Sequence, residues 1–183
     1  MAINITADGF CDHRAMIADE ELHHFFSGLL RNAGTMLYGR KTFDLMYPYW
    51  PEVARYKTGT ESEIAFAELL DEIEKIVFSK HGITTTWQHT KVLNDLNRGY
   101  ILKLKEQDGR DILIGGIDLS DQLTRMQLID EYYFVVHPVL YGKGKHFFES
   151  FELDKRVKME LFKTQPFQSG AIALFYRVVS WDF

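Results

Sequence analysis

Apolar residues recur along this chain with two periods, and the switches between them mark out the elements. From Glu20 to about Ala33, residues Leu22, Phe25, Phe26, Leu29 and Leu30 follow the i, i+3, i+4, i+7, i+8 spacing of one helical face. Asp19 is suited to cap this helix and Gly34 to end it. Thr35-Met36-Leu37-Tyr38 reads as a short buried strand that closes on Gly39-Arg40-Lys41-Thr42-Phe43. A second short helix is predicted from near Thr42 to just before Tyr47-Pro48-Tyr49-Trp50-Pro51, because proline disfavours helical geometry in the residue before it. Glu52 to Thr60 is polar and predicted to be a loop.

Thr60-Glu61-Ser62-Glu63 has the spacing of a capping box, and Ile64, Phe66, Ala67 and Leu70 follow it on a helix ending near Glu74. Lys75 to Lys80 gives a second buried strand, and residues 82–97 give short extended pieces. Tyr100 to Gln107 reads as helix and Asp108-Gly109 as a turn. Asp111-Ile112-Leu113-Ile114 is a third buried strand running into Gly115-Gly116. Leu119, Leu123 and Met126 mark another helix, and Glu131 to Val139 is the longest strand signal. Gly142 to Lys145 is a loop. Val157 to Thr164 and Ala171 to Val179, around Pro166 and Gly170, have the alternation of a C-terminal antiparallel hairpin.

Helices interleaved with short, wholly apolar strands predict an α/β fold with a mostly parallel sheet covered on both faces and an antiparallel edge from the last strands. At 183 residues with 46% hydrophobic and 26% charged residues, the chain is expected to form one domain over residues 1–183, with a core that needs no metal or disulfide. Its 21 basic and 26 acidic residues give a net charge of −5, the opposite of what a nucleic-acid backbone attracts. Cys11 is the single cysteine, which excludes an intrachain disulfide and a cysteine-rich zinc site. No basic and apolar leader opens the chain and no apolar run is long enough to span a bilayer. A soluble, cytoplasmic protein without nucleic-acid or membrane partners is therefore expected.

In an open α/β sheet, ligands bind beyond the carboxyl ends of the strands. Three predicted strands end in residues suited to an anion: Gly39-Arg40-Lys41-Thr42, Ser79-Lys80 and Gly115-Gly116. Paired glycines let backbone approach a ligand closely, Arg40 offers a planar fork for a terminal phosphate, and Thr42 and Ser79 offer hydroxyl donors. Three such ends together suggest a phosphorylated dinucleotide. Neither G-x-G-x-x-G nor G-x-x-x-x-G-K-[ST] occurs, so a Rossmann fingerprint and a P-loop are both unsupported.

Thr6-Ala7-Asp8-Gly9-Phe10, Leu37 to Phe43, Lys75 to Lys80, Asp111 to Gly116, Leu128 to Tyr132 and His137 to Gly144 occur in the order and at the approximate spacing of one family. Over nearly the whole chain they resemble the dihydrofolate-reductase-like family, which includes the reductase domain of riboflavin biosynthesis. The resemblance implies a three-layer α/β/α fold around a central mixed sheet, NADPH as hydride donor, a small-molecule substrate and a homodimer, here through strand 131–139 and loop 142–147. By position, Gly39, Arg40, Lys41 and Thr42 resemble the loop holding the adenosine phosphates. Ser79 and Lys80 resemble the element around the 2′-phosphate, and Gly115 and Gly116 the turn against nicotinamide and pyrophosphate. Ala7, Asp8 and Gly9 are similar to the segment between nicotinamide and substrate.

Hydride transfer needs a matching proton, for which a carboxylic acid facing the pocket would serve. Asp8 matches the riboflavin-type motif, and Glu21 resembles the acid that holds the pterin in folate reductases. Each also has a purely structural role open to it: Asp8-Gly9 is a turn dipeptide, and Glu21 is a first-turn acid favouring the helix dipole. Phe10 stands where riboflavin reductases often carry a basic residue, which argues against a phosphorylated ribose substrate, and the zinc-deaminase motif of the bifunctional enzymes is absent. His23-His24 supplies no further ligand at helical spacing, so no metal site is expected. His137 before Pro138 reads as structural, and Tyr47, Tyr49 and Trp50 form an aromatic cluster suited to the core or to a flat ring. The expectation is an NADPH-dependent reductase of a small heterocyclic, pyrimidine or pterin-like, or carbonyl metabolite. Its rivals are a true folate or pterin reductase and a dimeric nucleotide-binding or interaction protein that keeps the fold without the chemistry.

Overall fold

The computed structural model describes residues 1–149, 153 and 156–182. Its elements alternate as the hydrophobic pattern predicts. They are β1 (Ala2–Thr6), a 3-10 turn (His13–Ala15), α1 (Glu20–Asn32), β2 (Ala33–Gly39), α2 (Arg40–Met46), α3 (Trp50–Tyr56), α4 (Glu61–Glu72), β3 (Glu74–Phe78), β4 (Thr90–Leu93), α5 (Arg98–Lys105), β5 (Asp111–Gly115), α6 (Ile117–Arg125), β6 (Glu131–His137), β7 (Arg156–Pro166) and β8 (Ile172–Asp182). The chain divides into two compact units, one of Met1–Ala18 with Ile117–Phe183 and one of Asp19–Gly116.

In the Asp19–Gly116 unit the strands run in the order β4-β3-β2-β5, all parallel. Leu37, Ile76 and Ile114 share one register row and are buried, while Met36, Tyr38 and Val77 pack on the opposite face with Leu30, Phe43, Leu70 and Trp87. Both faces of β2 and β3 are thus covered, which explains why these strands lack polar alternation. Asp19 caps α1, its Oδ1 accepting from the Leu22 N–H at 2.7 Å, and Thr60 and Glu63 form a complete capping box on α4.

Three local expectations are corrected in this unit. Gly34 does not end α1: the helix stops at Asn32, Ala33 is already extended, and Gly34 lies inside β2 where the register with β5 shifts, a bulge position. The polar stretch after Trp50 is not a loop throughout. α3 begins at Trp50 with Pro51 in its first turn, where proline is tolerated, and buried Val53 and Ala54 pack with Ala67 of α4. Finally, α2 begins at Arg40, so Arg40, Lys41 and Thr42 form a first helical turn rather than a loop.

The other unit holds the order β1-β6-β8-β7, with β1 and β6 parallel and the last three strands antiparallel. The C-terminal hairpin is present, with β7 and β8 of 11 residues each against 7 for β6, so the longest strands lie there. Because β6 has β1 on one side and β8 on the other, neither of its backbone edges is open to a second copy. The expected dimer cannot form by strand pairing through residues 131–137. His137 is fully buried: its Nδ1 accepts from the Ile17 N–H at 3.2 Å and its Nε2 lies 3.0 Å from Asn4 Oδ1, the satisfied structural histidine foreseen. No helix among the described residues is long and apolar enough to cross a membrane.

Candidate functional site

The three strand ends singled out in the sequence lie in the Asp19–Gly116 unit, and their contacts bring them together. β2 passes through Gly39 into α2, which places Arg40 exposed at the junction. Beyond β3 the chain folds back in a tight turn, the Gly82 N–H donating to Ser79 O at 3.0 Å. Arg40 Nη1 donates to the carbonyl of Gly82 at 2.9 Å, tying the start of α2 to the tip of β3. On the other side of β2, Gly116 has φ +92°, and a Cβ placed there would lie 2.0 Å from Thr42 Oγ1. Only glycine permits that backbone to close on Thr42. Gly115, next in line to Tyr38, is less constrained, since a Cβ there would sit 2.7 Å from Met36 Cε, the movable end of that side chain.

Ser79 departs from its expected part. Its side chain is buried and its hydroxyl donates to Gly82 O at 3.1 Å, so it shapes the turn instead of offering a donor to a ligand. Thr42 is half-buried, and its hydroxyl has no hydrogen-bond partner among the described residues. Lys41 and Lys80 are exposed, so the tips carry three cations with Arg40. Asp44, one turn along α2, accepts from Arg40 Nε at 2.8 and 2.7 Å, and neither this acid nor Gly82 was among the predicted site residues. The i, i+4 spacing of Arg40 and Asp44 is visible in the sequence; the Gly82 carbonyl is not.

Glu21 lies half-buried in the first turn of α1. His23 packs against Trp50 and Phe66, and His24 is exposed. The aromatic cluster divides: Tyr47 stacks on Phe43 at 5.3 Å, Trp50 meets Phe66 at 4.7 Å and Tyr49 is exposed. Tyr38 is fully buried, its hydroxyl has no hydrogen-bond partner among the described residues, and burial pushes its pKa up.

Ala7, Asp8 and Gly9 belong to the other unit and form a turn after β1, with the Gly9 N–H donating to Thr6 O and the Ala7 N–H to Val139 O, both at 2.9 Å. The Asp8 carboxylate accepts from the Thr6 hydroxyl at 2.5 Å, from the Tyr141 N–H at 3.0 Å and from the Gly142 N–H at 2.8 Å. Led by the Thr6 hydroxyl, these donors hold its pKa below the ordinary carboxylate value. These bonds tie the carboxylate of Asp8 to the 141–142 segment. Phe10, in the place of a basic residue, packs on His146 with ring centroids 3.9 Å apart and the rings tilted by 40°. The buried acid of this unit is Asp121 on α6, 3% exposed, its Oδ1 accepting from the Phe148 N–H at 3.4 Å. Among the described residues no group of three or more His, Cys, Asp or Glu is arranged to hold a metal.

This architecture, a parallel sheet packed by helices and a mixed sheet that carries an antiparallel C-terminal hairpin, is that of the dihydrofolate-reductase-like proteins. The chain belongs to the RibD C-terminal domain family, which matches residues 1–173. The uncharacterized protein YyaP of Bacillus subtilis (strain 168) is 32% identical over 178 residues, 94% of this chain and 90% of its own length. A crystal structure from Shewanella sp. PV-4, of a protein provisionally assigned to riboflavin biosynthesis, superposes with a TM-score of 0.70 at 15% identity, covering 98% of this chain and 97% of that one. Dihydrofolate reductase from Enterococcus faecalis, complexed with NADP(H) and RAB-propyl, superposes with a TM-score of 0.63 at 15% identity, covering 98% and 95%. Family and fold together support a reductase-type function.

Proposed function

We propose that this protein is an NADPH-dependent reductase that reduces a small heterocyclic metabolite, pyrimidine- or pterin-like, or a small carbonyl compound. The observation that carries the reading is the convergence of three strand ends in one unit. Arg40 bonds to the Gly82 carbonyl of the β3 turn, and the backbone at Gly116 closes on Thr42. Around this junction Arg40, Lys41 and Lys80 supply positive charge, and Thr42 supplies an uncommitted hydroxyl. These features fit a phosphate-bearing nucleotide. Gly39, Arg40, Lys41, Thr42 and Lys80 would hold its phosphates, Ser79 would shape the turn that receives them, and Gly115 and Gly116 would form the backbone turn that closes on Thr42 beside them. When bound, the nicotinamide ring supplies the hydride. Ala7 is assigned with Asp8 and Gly9 to the substrate side, where Asp8 keeps the 139–142 segment in place. Asp8 or Glu21 would assist protonation, directly or through water. RibD C-terminal domain membership and the NADP(H) complex of the Enterococcus reductase add to this reading. A homodimer in the cytoplasm completes it.

Nucleotide binding measured by fluorescence tests the proposal. Arg40→Ala is expected to weaken NADPH binding by roughly 1.5–3 kcal/mol, as for a lost charged hydrogen bond, and NADH binding by less. A reductase assay with both nicotinamides against pterins, pyrimidines and small carbonyl compounds reads turnover. NADPH binding without turnover of any of them would favour the second reading, a nucleotide-binding protein without catalysis. Binding of neither nucleotide would overturn the reading.

A further inference from the structure

Resting on the nucleotide reading above, we propose that Asp44 is a positioning residue that clamps Arg40 so that the far nitrogen of its guanidinium is presented to a phosphate group. Arg40 carries five N–H donors in one plane. Its Nε donates to both Asp44 oxygens, at 2.8 and 2.7 Å, and its Nη1 donates to the Gly82 carbonyl at 2.9 Å. The two acceptors come from different places, a side chain on α2 and a backbone carbonyl in the turn after β3. Two of the three nitrogens are therefore fixed, which sets both the direction of the side chain and the tilt of its plane. Nη2 has no partner among the described residues, and the side chain is 47% exposed.

An arginine left to wander in solvent loses rotamer freedom when it meets a ligand; a clamped one has lost it beforehand, so more of the interaction appears as affinity. Against this stands the negative charge of Asp44, which opposes an incoming phosphate. Two facts decide between the effects. The Asp44 side chain is 50% exposed, so water and salt screen its charge, while the geometric constraint is not screened. Arg40 itself and Lys80, exposed beyond β3, also set positive charge at the tips against the one carboxylate. A pair this exposed adds little to folding by itself. Its contribution on this view is to hold a recognition group in place, and the ligand it serves carries a terminal phosphomonoester, the feature separating NADPH from NADH.

The test compares dissociation constants of NADPH and NADH, read by nucleotide fluorescence, for the unaltered protein, Asp44→Ala, Asp44→Asn, Arg40→Ala and the Arg40→Ala/Asp44→Ala double variant, with circular dichroism to confirm folding. Asp44→Ala is expected to weaken NADPH roughly tenfold and to move NADH less than about twofold. Asp44→Asn keeps an oxygen acceptor for Nε and should retain most of the NADPH affinity. The double variant should match Arg40→Ala alone, because a positioning residue has nothing left to position. Unchanged NADPH affinity in Asp44→Ala, or tighter binding in both Asp44 variants, would overturn the proposal and leave the nucleotide reading standing. Neither nucleotide binding to the unaltered protein, or Arg40→Ala leaving both affinities unchanged, would remove the nucleotide reading and this proposal with it.

Discussion

Two carboxylates in one unit show how far neighbours, and not residue type, set what an acid does. Asp8 is held below the ordinary range by the Thr6 hydroxyl and the Gly142 and Tyr141 N–H groups. Asp121 is pushed up to about 6 by burial, with the Phe148 N–H and Lys145 opposing and Asp118 raising it further; Cys11 and Tyr132 also feel its charge. The folded chain thus protonates Asp121 near pH 6 and the unfolded chain near 3.8, so between these values the folded state holds the extra proton and stability falls as pH rises. Above pH 6 the buried charge imposes a constant cost. Asp121→Asn is accordingly expected to raise stability by about 2 kcal/mol at pH 7.5, with the gain gone near pH 4. Thermal melts at the two pH values check this; an equal effect at both would refute the burial argument. The Asp8-Gly9 turn was legible in the sequence. The donors that claim Asp8 were not, because the amides of Tyr141 and Gly142 are 133 and 134 residues away.

Among the elements, β3 and α4 depend on a residue that hydrophobic pattern alone passes over. Lys75 opens a run of apolar residues and is fully buried. Its Nζ donates to the carbonyls of Leu70 at 2.6 Å, Asp71 at 3.1 Å and Ile73 at 2.8 Å, satisfying chain ends that α4 leaves without partners. The ammonium also lies 5.0 Å from the centre of the Trp87 ring, while the indole N–H donates to Asp71 at 3.1 Å. Burial lowers its pKa to about 8, yet three acceptors match its three N–H groups. Lys75→Met fills the space but strips these carbonyls, and about 2–3 kcal/mol of stability should be lost, measurable by urea unfolding. A neutral outcome would mean that water satisfies the α4 terminus. The same kind of non-local support explains α3. Its segment reads as polar because only Val53 and Ala54 are buried, and their packing partner Ala67 lies on α4.

Across the whole chain, the pairing of β1 with β6 joins sequence ends: the amino terminus donates to Glu131 O, 130 residues away. Closing a loop that long carries an entropic penalty, which falls when the Asp19–Gly116 segment within it is already folded. We therefore propose that the two units unfold together as one domain, in keeping with a family match that runs from residue 1 to residue 173 through both. Unfolding followed by far-ultraviolet dichroism and by tryptophan fluorescence should give coincident, single transitions. All three tryptophans, Trp50, Trp87 and Trp181, report on it: two in one unit and one in the other, so separated transitions would refute the single-domain reading.

Local order in this protein was written in short-range pattern: the stripe of α1, the capping box of α4, the apolar runs of β2, β3 and β5, and the terminal hairpin each follow from residues a few positions apart. The three strand ends could be named as phosphate-friendly from their glycines, hydroxyls and cations. Tertiary structure alone decided that Ser79 turns inward, that Arg40 also bonds to the Gly82 carbonyl, that Asp8 bonds to the amides of Tyr141 and Gly142, and that β6 has no open edge. The reason is physical: periodicity reports which side of an element is buried, whereas the partner of a polar atom is set by which distant segment folding brings within 3 Å of it.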